Sequence, residues 1–161
     1  RPYNSSMYMD AVNKLKKVDS LFNFTTDIIT GFPGETDFEF EETVELVKNA
    51  GFSHIHTFRY SPRPGTKAAS MADAVHESVK TERSESIIRL YSLQKKEYYS
   101  RFSGKVSTML TEKVRGGMTT GFNEYYVPVA IEEKPGRNLF IKIQTEPDTE
   151  ELRLKGTPVQ E

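Results

Sequence analysis

Apolar residues recur along the first third of the chain with two different periods. Met9, Val12 and Leu15 fall at helical spacing, which with Ser5 or Ser6 as N-cap predicts a helix running to about Val18. The next run, FNFTTDIIT over 22–30, is rich in aromatic and β-branched side chains and stops at Gly31, so it reads as a strand with both faces covered. GFPGET (31–36) is a turn. Thr36 and Glu39 then form a capping box that opens a helix whose apolar side holds Phe40, Val44 and Val47. Gly51 ends that helix as its left-handed C′ residue, and a second strand, SHIHTFRY, follows over 53–60. Strand, turn, helix, glycine stop and strand make a βαβ unit, which requires parallel strands and a right-handed crossover.

Beyond Tyr60 the prolines at 62 and 64 stiffen a loop, and residues 61–72 carry no periodic pattern. A long charged helix is predicted over 75–101, with Val79, Ile87, Leu90 and Leu93 among its buried positions. From Gly104 the pattern changes to short strand-like runs: KVSTMLTEKV, then MTTGF after a Gly116–Gly117 turn, then EYYVPVAI and NLFIKIQT. Two glycines between alternating runs signal a hairpin. The fold class is therefore α/β over 1–103, followed by a small all-β domain over 104–161, an antiparallel barrel or sandwich.

Composition narrows the chemistry. With 36% hydrophobic and 28% charged residues the chain is of soluble globular type, and its apolar runs are too short to span a bilayer. No membrane partner and a cytoplasmic location are expected. The absence of cysteine excludes disulfides, thiolate metal sites, cluster ligation and cysteine nucleophiles within these residues. Net charge is −1, yet residues 59–115 carry 12 basic and 6 acidic side chains between two acidic flanks. That belt suits phosphate, and equally a solvated helix face. The sequence opens at Arg1 rather than at methionine, and a piece of a longer chain is the expectation.

Ligands of α/β sheets gather at the C-terminal ends of parallel strands, which here are TDIITGFPGET (26–36) and FRYSPRPGT (58–66). Gly31 and Gly34 allow the backbone to approach a bound group, and Asp27 inside an apolar strand needs a partner or a task. The structural alternative is an ordinary turn with Asp27 paired to a buried arginine. Phe58 and Tyr60 suit a base or adenine ring, Arg59 and Arg63 a phosphate or carboxylate, with a proline-stiffened connection as the plainer reading. His54 and His56 share one strand face without a third ligand nearby in sequence, which favours packing over a metal site. In the tail, Phe122, Tyr125, Tyr126 and Phe140 interleave with Lys113, Arg137 and Lys142. Such aromatics either stack single-stranded bases or fill barrel core and rim.

In their order, TDIITGFPGET, FRYSPRPGT and KTERSESIIRLYSLQ resemble the second half of the radical S-adenosylmethionine methylthiotransferases, and the tail with TTGFNEYYVPV resembles their RNA-binding TRAM domain. GFSHIHTFRYSPRPGT is most similar to the branch acting on N6-threonylcarbamoyladenosine at position 37 of tRNA, with the isopentenyladenosine branch the close alternative. The resemblance implies a 4Fe–4S cluster, held by a CxxxCxxC motif, that cleaves S-adenosylmethionine to a 5′-deoxyadenosyl radical. A second cluster upstream would handle sulfur. It implies that residues 22–60 are two late strands of an incomplete six-stranded barrel. Ile29, Gly31 and Glu35 match the cofactor-contacting stretch after the fifth strand, and Phe58, Arg59 and Tyr60 match the sixth, near adenine. Asp27 stands where related radical enzymes often have glycine.

The expected partners are tRNA, contacted through Arg63, Lys113, Phe122, Tyr125 and Arg137, and the missing N-terminal part of the same chain. No catalytic residue, cluster or bound cofactor is expected in this stretch alone, and its open barrel edge invites a non-native dimer. A stand-alone or regulatory RNA-binding module is the competing reading.

Overall fold

A computed structural model describes residues 3–159. The chain divides into two compact units, the first built from residues up to Ser20 with Phe24–Gln94, the second from Leu21–Asn23 with the residues from Lys95 onward.

In the first unit helix α1 (Ser5–Val18) is capped by Asn4, whose side-chain oxygen accepts from the Met7 amide at 2.9 Å. The cap is therefore one residue ahead of the expected serines, because Asn4 has the extended backbone that aims its amide oxygen into the first turn. Strand β1 (Thr25–Thr30) and β2 (His54–Arg59) pair in parallel from Thr25↔His54 to Thr30↔Arg59. Between them α2 (Asp37–Ala50) has both halves of its capping box, and Gly51 at φ +67° closes it with its amide on the Val47 carbonyl. Val47, Ala50, Phe52, Ile55 and Ile87 form the core on one side of the sheet.

The expectation that β1 is covered on both faces is corrected. On the face away from the core cluster Ile29 is 54% and Phe58 52% exposed. Helix α3 (Glu77–Ser100) carries a second correction, since Leu93 is exposed while Lys80, Arg83 and Ser84 are buried. Positions 80, 83, 84 and 87 share one helical face, so the inward stripe is mostly polar and escapes an apolar count.

The second unit is a closed barrel in the order β3-β4-β5-β7-β6. Its strands are β3 (Lys105–Arg115), β4 (Met118–Asn123), β5 (Pro128–Ile131), β6 (Phe140–Asp148) and β7 (Arg153–Pro158). Phe102, Met109, Val127, Ile143 and Leu154 fill its interior with Tyr98 and Tyr99 of α3. The barrel is not wholly antiparallel: β5 and β7 pair in parallel through Val129↔Leu154 and Ala130↔Lys155. Strand β7 has no predicted counterpart, because RLKGTP places one fully buried apolar residue, Leu154, among polar ones. EYYVPVAI is a strand only from Pro128. Before it Asn123 builds a turn, its side-chain oxygen accepting from the Tyr125 amide at 3.1 Å and the Val127 amide at 2.9 Å. Among the described residues no helix is long and apolar enough to cross a membrane.

Candidate functional site

At the C-terminal end of β1 the chain turns at Gly31, φ +70°, and is fastened from α3. The Gly31 amide donates to Glu35 Oε2 at 2.7 Å, and the same oxygen accepts from Arg83 Nη1 at 2.6 Å. Arg83 Nη1 also reaches the Glu35 carbonyl at 3.0 Å, and Nη2 reaches Asp37 Oδ1 at 2.6 Å. The Arg83 side chain is 6% exposed and stands over the Phe40 ring, 5.3 Å from its centroid. Burial alone works against its charge, but the hydrogen bonds to Asp37 and Glu35 outweigh that and raise its pKa. Asp27 takes no part in this network and lies exposed on the open face of the sheet.

Lys80 is the second fastening. Its Nζ donates to the Tyr60 carbonyl at 3.2 Å and to Glu77 Oε1 at 2.7 Å, while its own carbonyl accepts from Thr30 Oγ1 at 3.3 Å. The hydrogen bond from Lys80 holds the Glu77 carboxyl below its ordinary range. Phe32 meets Tyr60 edge-to-face at 5.2 Å, and Arg59 Nη1 donates to Thr81 Oγ1 at 2.9 Å. Gly34 donates its amide to the Asp73 carbonyl at 2.9 Å. Arg63 stands exposed in the following loop, its carbonyl accepting from Thr66. A cavity of about 480 Å³ opens beside these strand ends, lined by Pro33, Tyr60, Met71, Val75 and Lys80 among others.

The structure thus brings Gly31, Gly34, Glu35 and Tyr60 to one end of the sheet. Ile29 and Phe58 are register partners on the open face just below. His54 and His56 continue that face, their rings 4.5 Å apart edge-to-face. Among the described residues no group of three or more His, Asp or Glu is placed to hold a metal ion. With no cysteine in the chain, nothing here fits an iron–sulfur cluster. An exposed aliphatic and aromatic pair beside a glycine turn does fit a purine ring and the backbone contacts of a nucleoside. Lys80 and Arg83 were missed by sequence reasoning. Their signal was the KTER spacing, which sets two cations at i and i+3 on one helical face.

On the barrel, Phe140, Leu110, Phe122 and Pro128 occupy one lateral row across four strands, as the pairings Leu110↔Phe140, Leu110↔Phe122 and Phe122↔Pro128 require. Phe140 is 76% exposed, and Tyr126, 77% exposed at φ +60°, stacks on Phe122 with centroids 5.0 Å apart. Tyr125 instead turns inward against Phe102. Lys113 lies exposed past the bulge in β3, and Arg137 Nε donates to the Glu112 carbonyl at 2.8 Å. Lys113 and Arg153 join Phe122 around a cavity of about 250 Å³.

No family model matches the chain. It is 45% identical over 128 residues to the threonylcarbamoyladenosine tRNA methylthiotransferase of Thermotoga maritima, an alignment covering 79% of this chain and 30% of that protein. The Bacillus subtilis protein of the same name is 38% identical over 151 residues, 89% of this chain and 34% of its own length. The tRNA-2-methylthio-N(6)-dimethylallyladenosine synthase of Wolbachia pipientis wMel is 35% identical over 136 residues, 83% of this chain and 31% of the relative. The chain spans about a third of the length of these relatives. At this identity over this much of its own length, the chain is homologous to about a third of the length of proteins named as tRNA methylthiotransferases and related 2-methylthio-adenosine synthases.

Proposed function

We propose that these residues are the C-terminal third of a radical S-adenosylmethionine, iron–sulfur enzyme that adds a methylthio group to threonylcarbamoyl-modified adenosine 37 of tRNA in the cytoplasm. The alignment at 45% identity over 128 residues carries the reading, because that relative is named for this nucleoside. Residues 1–103 are then the end of the radical barrel and residues 104–161 a TRAM-like barrel. The open face of β1 and β2 supports this, since Ile29 and Phe58 are apolar side chains that closure of a barrel by further strands would enclose.

The cofactor supplies one-electron chemistry when bound, and this chain's part is to hold and shield it. Ile29 and Phe58 flank the adenine, and the backbone of Gly31 and Gly34 borders the rest, with Arg59 and Tyr60 closing the adjoining strand end. Glu35 serves the turn itself rather than the ligand, and Asp27 faces the lumen. Cluster ligands come from the part of the protein outside these residues, so this stretch binds no cofactor and catalyses nothing alone. The tRNA partner meets the second unit at Phe140, Phe122 and the stacked Tyr126, with Lys113 and Arg137 supplying phosphate contacts there, and Arg63 offers the first unit's own phosphate contact. Tyr125 supports that surface from beneath.

The test is to read the gene on the 5′ side of the Arg1 codon and to assay iron and sulfide in its anaerobically purified full product. An in-frame CxxxCxxC and a cluster-bearing protein are expected. A product with neither transfers the assignment to an RNA-binding module without catalysis.

A further inference from the structure

Arg83 occupies a position that an ordinary ion pair does not explain. It is buried, it lies 48 residues beyond the acid it grips, and it makes three hydrogen bonds to the GFPGETD segment, two to Glu35 and one to Asp37. Glu35 in turn spends Oε2 on the Gly31 amide, the first backbone donor after β1. A lysine could reach one of these acceptors but lacks the planar fork that spans two carboxylates. The guanidinium therefore fixes the turn's shape from a separate element.

We propose that Arg83 is a positioning residue for the nucleoside site: acting through Glu35, it sets the Gly31 amide and the path of residues 31–37, so that the turn is preorganised before S-adenosylmethionine arrives. This rests on the cofactor role proposed above for the strand ends. Arg83 touches no reacting atom in this account. Its contribution is the ordering cost that the turn no longer pays on binding.

The full-length protein is the object to test, with Arg83→Gln, Arg83→Lys and Glu35→Gln. Arg83→Gln is expected to weaken S-adenosylmethionine binding about tenfold, the scale of one charged hydrogen bond. It is expected to leave tRNA affinity within about twofold and to speed hydrogen exchange at residues 31–37. Arg83→Lys should recover part of the cofactor affinity, and Glu35→Gln should match Arg83→Gln without adding to it in the double variant. Should Arg83→Gln fail to fold, the Lys and Glu35 variants carry the same comparison. Unchanged cofactor affinity overturns the proposal, as does a parallel fall in cofactor and tRNA affinity with melting temperature. A wild-type protein that binds no S-adenosylmethionine refutes the cofactor reading itself. In that case exchange at residues 31–37 separates the two: faster exchange in Arg83→Gln keeps the brace, and unchanged exchange removes that as well.

Discussion

Gly31 shows how tightly single atoms are specified at the strand ends. Its φ of +70° already disfavours any side chain, and a Cβ there would lie 2.3 Å from Lys80 Cγ. Lys80 cannot swing aside freely because its ammonium is bonded to the Tyr60 carbonyl and Glu77. Gly31→Ala should therefore cost about 2–4 kcal/mol, strain and overpacking together, as a drop in the urea midpoint. Gly34→Ala, with open space around its Cβ, should cost only about 1 kcal/mol of backbone strain. Tyr99 offers a pH test. Burial pushes its hydroxyl up to about 12, so the folded state favours the neutral phenol. The stabilisation is complete below the ordinary tyrosine value near 10 and is lost as pH rises through about 12. An ultraviolet titration should show late tyrosine ionisation that is reduced in Tyr99→Phe.

At the scale of elements, the parts legible in sequence were those whose signals are local. The capping box at Thr36 and Glu39, the glycine stop at Gly51 and the β–α–β order all rest on neighbouring residues, and each is present as read. What was missed depends on distant partners. Arg83 is held inward by the acids of the turn and Lys80 by the Tyr60 carbonyl and Glu77, so both are buried where an apolar count selected Leu93. Ile87→Ala should accordingly cost about 2–5 kcal/mol, whereas Leu93→Ala should stay within about 0.5 kcal/mol by thermal or denaturant unfolding. Likewise the exposed ring of the barrel is Tyr126 rather than Tyr125. Asn123 sets that turn through its side chain, which period-two alternation does not reveal. Strand β7 closes the barrel by pairing in parallel with β5, a long-range partnership that no short window of sequence contains.

For the whole molecule, the sheet of the first unit is the point of weakness. Two strands with one open face and exposed Ile29 and Phe58 leave both apolar surface and backbone edges unsatisfied. The isolated 161-residue chain is expected to dimerise or aggregate in light scattering, and Ile29→Lys with Phe58→Lys should shift it toward monomer. A clean wild-type monomer would count against the half-barrel account. The pattern of exposure also says where the site was readable and where it was not. Glycines and aromatics at strand ends marked the place, but the groups that shape it sit on a helix nearly fifty residues away.

What the complete protein does to tRNA is addressed directly by one measurement. Bulk tRNA from cells with the gene deleted should be digested to nucleosides and compared by mass spectrometry with tRNA from the parent and from a complemented strain. Loss of the 2-methylthio form of threonylcarbamoyladenosine on deletion, with its restoration on complementation, is the predicted result. An unchanged nucleoside profile would contradict the account, and loss of only the dimethylallyl counterpart would move the substrate to the other branch of the family.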